Sequence, residues 1–120
     1  MSLGSLAEVV GLSCRVHGQR VGEVTSVIVD ADVTRVLGVD VRCTDGRRLF
    51  LPWVAVELAD DGVDIRSAFL LVDAGDSYSR RGARGISDLA ELARLRAGDE
   101  GHITNGVVVS IGSRGGTYRR

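Results

Sequence analysis

The sequence contains no lysine, a single proline, two cysteines and only five aromatic residues in 120. With Cys14 and Cys43 as its only cysteines, the chain has no disulfide framework, which excludes the small disulfide-stapled extracellular classes. No apolar run approaches the ~18–20 residues that span a bilayer. The N-terminus shows no basic segment followed by an apolar one, so no secretory signal is read. The expectation is a cytoplasmic chain with no direct membrane insertion. The glycine-rich end Gly112-Ser113-Arg114-Gly115-Gly116 lacks the lysine of a Walker-type phosphate loop and reads as flexible.

Hydrophobic residues make up 44% of the chain and charged residues 26%, a folded composition and not a disordered one. A chain of this size buries roughly 65% of its extended surface, enough for one modest core. Valine is abundant, and its χ1 stiffness suits strands. Sixteen glycines supply tight turns. Net charge is −1, unevenly spread. Residues 1–79 hold seven arginines against twelve carboxylates, leaving −5. Residues 80–120 hold eight against four, leaving +4. An acidic body with a basic tail fits a nucleic-acid arm, or a tail that docks on its own or a partner's body.

Periodicity gives a β domain over 1–72. Gly22 to Asp30 is a strand, apolar on both faces near its end. Leu37, Val39 and Val41 alternate with Gly38, Asp40 and Arg42, a strand with one wet face. Asp45-Gly46 is a hairpin signal leading to a return strand at 48–51, which Pro52 ends. Asp60-Asp61-Gly62 is another turn. About five to six short antiparallel strands result, in a sheet that curls or closes to remove its edges. Residues 73–86 read as a linker. Residues 87–120 read as a helix at 87–97, with its cap at Ser87 or Asp88 and its stop at Gly98, followed by a strand at 107–111. No internal repeat is evident.

The order of motifs is similar to one known family. Val21-Gly22-Glu23-Val24-Thr25-Ser26-Val27-Ile28-Val29-Asp30 is followed by Val36-Leu37-Gly38-Val39, then by Gly46-Arg47-Arg48-Leu49-Phe50-Leu51-Pro52-Trp53, Val56-Glu57 and Gly62-Val63-Asp64-Ile65. Over Leu12 to Val72 this resembles the PRC-barrel family, which includes the cytoplasmic domain of the photosynthetic reaction centre H subunit and the C-terminal domain of a ribosome maturation factor. The resemblance implies a small PRC-type β-barrel and carries over no catalytic residue. Where the family has Thr-Gly after the strand-ending Asp, this chain has Val33-Thr34-Arg35. Gly22 and Gly38 read as points of close backbone approach.

Candidate chemistry is sparse. Cys14 and His17 have C-x-x-H spacing, and Cys43 on a neighbouring strand would complete three zinc donors. The plainer reading is a buried cysteine and a turn histidine. Asp30, Asp32, Asp60, Asp61 and Asp64 lack the spacing of a calcium loop and read as solvated turns. No acid, base and nucleophile can be drawn together, so no enzyme and no cofactor are expected. The candidate interaction surface is Trp53, the basic cluster Arg80, Arg81 and Arg84, and the leucine stripe Leu89, Leu92 and Leu95. The stripe would pack on the chain's own barrel or on a second copy, making a homodimer the expected state. The expected function is a non-enzymatic protein–protein interaction or assembly module with an unidentified protein partner. The alternatives are an RNA- or ribosome-associated factor, and an accessory of a photosynthetic or other membrane complex.

Overall fold

One long strand, Gln19–Val29, organises the main sheet, and three other strands pair along its two edges. A computed structural model describes residues 5–73, 82–98 and 100–105 of the chain. The elements in order are a 3₁₀ turn at Leu6–Glu8, then β1 (Ser13–Val16), β2 (Gln19–Val29), β3 (Val36–Cys43) and β4 (Arg48–Pro52). A second 3₁₀ turn at Trp53–Ala55 leads to β5 (Glu57–Ala59) and β6 (Gly62–Ile65), and a third spans Ala68–Leu70. β7 (Arg84–Ile86), the four-residue helix α1 (Leu89–Leu92), β8 (Leu95–Ala97) and β9 (Ile103–Asn105) complete the described chain.

β3 pairs antiparallel along one edge of β2. The other edge is shared. β1 takes its first half and β7 its last three residues, Val27–Val29. Sheet order is β4-β3-β2-β1-β6-β5, with β7 beside β2. The protein is mainly β, as the composition implies. Two features differ from the expected antiparallel barrel. β1 and β6 are parallel, and among the described residues the hydrogen bonding does not close from β4 to β5. β4 is covered instead by Val72, which exchanges two backbone bonds with Phe50. Residues 84–86, placed in the linker by their composition, form β7. The helix expected over 87–97 is one turn long, because Leu95 lies in a strand. The expected strand at 107–111 lies outside the described residues.

Apolar residues face inward from every layer. Val24, Val27, Val29, Val39, Val41, Leu51 and Val63 are at most 1% exposed. Bulges between Val24 and Ser26 and between Ile28 and Val29 break strict alternation, so Val27, Ile28 and Val29 are all buried. The sheet is tightest where side chains are missing. A Cβ on Gly22 would lie 2.5 Å from the Arg42 carbonyl oxygen, and one on Gly38 would overlap the Leu51 carbonyl and the Phe50 ring.

The β2–β3 turn shows how the Val33-Thr34-Arg35 departure is accommodated. The Asp30 carboxylate accepts from the Thr34 N–H at 2.7 Å, the Thr34 hydroxyl at 2.6 Å and the Arg35 N–H at 3.2 Å. These bonds, the Thr34 hydroxyl first, hold the Asp30 carboxyl below its ordinary pKa. Val33 is forced to φ 55°, a costly conformation for a β-branched residue.

The structure also reveals a repeat that the sequence reading missed. Leu6-Ala7-Glu8-Val9 and Leu89-Ala90-Glu91-Leu92 each form one helical turn, and an antiparallel hairpin follows each. A valine-rich run continues both sequences, Val27-Ile28-Val29 and Val107-Val108-Val109. The two helical turns pack on each other, and Leu6, Val9 and Leu92 are fully buried in one core cluster. The repeated Leu-Ala-Glu was the available signal. It was hidden because the hairpin loops differ, two residues after β1 and five after β8.

Candidate interaction surface

The C-terminal hairpin docks on the sheet through backbone. Val36 N–H donates to the Gly101 carbonyl at 2.7 Å, and Ile103 N–H donates to the Thr34 carbonyl at 2.9 Å. The Arg35 guanidinium reaches the Glu100 carbonyl at 2.6 Å. Trp53 lies in this seam. It is 9% exposed, and its indole N–H donates to the Gly98 carbonyl at 3.3 Å.

This corrects part of the expected surface. Trp53 and Leu92 are buried and take no part in an outer face, because the hairpin covers Trp53 and α1 packs against the first 3₁₀ turn. Leu89 is 55% exposed, and Leu95 is half-buried on β8. The three leucines do not make one helical stripe. Arg84 sits on β7 and pairs with Glu91 at 3.6 Å. Arg80 and Arg81 lie outside the described residues.

Two exposed apolar side chains were not singled out by sequence. Phe69 is 94% exposed and Val54 is 92% exposed. The Ser67 hydroxyl accepts from the Phe69 N–H at 3.2 Å, capping the 3₁₀ turn that carries the ring. Its neighbours Ala68 and Leu71 help line a groove of about 290 Å³ together with the apolar Val21, Cys43 and Leu49 and the polar Thr44, Asp45 and Arg47. Asp45 and Arg47 at the groove are paired to each other at 2.8 Å. A hydrophobic residue in Ser67-Ala68-Phe69-Leu70-Leu71 has no sequence mark separating inward from outward. Its neighbours Leu70 and Leu71 do pack against the core.

The β5–β6 hairpin is the acidic pole. Glu57, Asp60, Asp61 and Asp64 fall within eight residues that include no basic one. Arg15 on β1 answers them, 2.7 Å from Asp61 and 3.5 Å from Asp64. Its side-chain hydrogen bond and charge hold the Asp61 carboxyl below the ordinary range. Arg66 pairs with Glu57. Between these pairs lies a cleft of about 400 Å³ that His17 and Ile65 also line.

The cysteines flank a glycine. Cys14 on β1 is in register with Gly22 on β2, which is in register with Cys43 on β3. Burial first, then the neighbouring Cys43, pushes the Cys14 thiol up to about 11, and burial also raises Cys43. Such thiols are poor nucleophiles. His17 stands apart in the β1–β2 turn, at φ 53°. Among the described residues, no three His, Cys, Asp or Glu side chains are grouped to hold a metal, and the Cys14, His17 and Cys43 donors are not brought together. Among those residues, too, no helix is long and apolar enough to cross a membrane.

A family model for the PRC-barrel domain matches residues 15–74, half of the chain. The chain belongs to the PRC-barrel family. The match takes in the second half of β1, all of β2 to β6, the third 3₁₀ turn and Val72, so the acidic hairpin and Phe69 lie within the PRC-barrel unit. The first helical turn and β7 to β9 lie outside it. No curated protein matches the chain.

Proposed function

We propose that this PRC-barrel protein is a non-enzymatic interaction module of the cytoplasm, binding a protein partner through the face that carries Phe69. One observation carries the reading: a phenylalanine ring 94% in water, on a capped turn beside a partly apolar groove. The domain's own core needs no help from it, since Val24, Val27, Val29, Val36, Val39 and Val41 of β2 and β3 are already covered. A large aromatic ring removes much area from water when a partner covers it, and such residues concentrate binding energy. The inward-facing cysteines and salt-bridged carboxylates leave binding as the better-supported role.

The test places a photo-crosslinking amino acid at Thr44, which lines the groove, and, separately, at Leu89, in native-host lysate, with and without Phe69→Ser. Capture of one partner from Thr44 that Phe69→Ser abolishes supports the reading. Capture that ignores Phe69→Ser, or that is equal from both sites, overturns it.

A further inference from the structure

The two repeated hairpins differ in one edge. In the first, β1 is flanked by β2 and by β6. In the second, β9 is flanked by β8 and by the Thr34–Val36 segment, while β8 has no second strand partner among the described residues and otherwise packs against the first 3₁₀ turn and α1. Among the described residues, β8 therefore has an unpaired strand edge where β1 holds β6. At the far end of the main sheet, β5 also has one unpaired edge among the described residues. Both of these strands are three residues long.

Their chemistry is complementary. β8 is bordered by Arg94 and carries Arg96, both exposed and neither in an ion pair among the described residues. β5 begins at Glu57, paired with Arg66, and runs into Asp60 and Asp61, the latter paired with Arg15; the four acids of this pole still outnumber those two arginines. The faces also match. Leu58 and Leu95 are half-buried, whereas Glu57, Arg94 and Arg96 are exposed. Neighbouring strands must share faces, which sets Leu58 beside Leu95. Glu57 then stands opposite Arg96 if the strands are antiparallel, or opposite Arg94 if they are parallel.

We propose that β8 of one chain adds to β5 of a second copy, so that this PRC-barrel protein self-associates by edge-to-edge strand pairing. The contact uses the strand pairing that the fold already uses at β1 and β6. It lies on a different set of residues from Phe69 and does not depend on the Phe69 reading.

The experiment is sedimentation velocity on three full-length proteins: wild type, Glu57→Arg, and Arg94→Glu/Arg96→Glu. Each single-sided variant places like charges across the contact, and at ~50 mM salt each is expected to self-associate about tenfold more weakly than wild type. An equimolar mixture of the two variants restores opposite charges at both contacts and regains wild-type association. Wild type that stays monomeric up to ~0.5 mM, a concentration chosen to cover weak contacts, overturns the proposal. So do variants that associate like wild type, or a mixture that fails to recover. If the arginine variant does not fold by far-UV circular dichroism, Glu57→Arg and a salt titration of wild type decide. Insensitivity to both rejects the contact. Phe69→Ser is expected to leave self-association unchanged, so failure here and failure of the partner site are told apart.

Discussion

The first and second hairpins of this chain share a helical turn and a strand pair, yet they stand differently in the fold. Leu6 is fully buried, whereas its counterpart Leu89 is 55% exposed. Val9 and its counterpart Leu92 are both fully buried, because the two turns meet there. β2 carries neighbours along both edges, while β9 is three residues long and leans on a turn. The same local motif therefore becomes a sheet's centre in one place and an attachment in the other. The surroundings, and not the motif, set how firmly it is held.

Four experiments sharpen or break that contrast. Leu6→Ala and Leu92→Ala are each expected to cost about 2–5 kcal/mol in denaturant unfolding, and Leu89→Ala less than about 1 kcal/mol. Equal costs for Leu6 and Leu89 would dissolve the comparison. Gly22→Ala, which drives a methyl into the Arg42 carbonyl, is expected to destabilise by about 1–3 kcal/mol. Gly98→Ala in the second hairpin meets nothing within 4 Å and is expected to cost under about 0.5 kcal/mol. In hydrogen exchange, β2 amides such as Val27 and Val29 are expected to open only with global unfolding. The Ile103 amide is expected to exchange earlier, by local release of the hairpin. The smallest effect concerns the turn on which the second hairpin leans. Val33→Asn is expected to stabilise by less than about 1 kcal/mol, since asparagine tolerates positive φ.

Titration adds a check with a definite sign. Asp30 is held below its ordinary pKa, so its contribution is present above the unfolded value and is lost as pH falls through the lowered one. Asp30→Asn is therefore expected to flatten the loss of stability below about pH 4. Cys14 works the other way. Its thiol is raised to about 11, so its contribution is full at neutral pH. It declines as pH rises from about 9 through that value. Neither thiol is expected to react with a disulfide reagent at pH 8 until the protein unfolds.

β2, β3 and β4 were legible because valine runs, the Asp45-Gly46 turn and Pro52 are local signals. The parallel β1–β6 pair was not, since nothing near Ser13 names a partner 49 residues away. The leucines at 89, 92 and 95 satisfy a helical period as well as a turn followed by a strand. Only the docked hairpin decides between them. Trp53 was legible as an aromatic beside a Leu-Pro turn, but its burial depends on residues 98 and 101, which lie far along the chain. Phe69 gives the opposite lesson. Nothing in its neighbourhood distinguishes a ring that faces water from one that faces the core.

The seam at Trp53 makes the attachment of the second hairpin optically readable. It is the only tryptophan in the chain, so every photon of indole emission comes from that joint. Lifting the Gly98–Gly101 loop would wet the ring while β2 and β3 stay paired, and emission would shift to the red before the far-UV signal changed. A denaturant titration followed by both signals would thus separate the release of the extension from the melting of the sheet, with no label added.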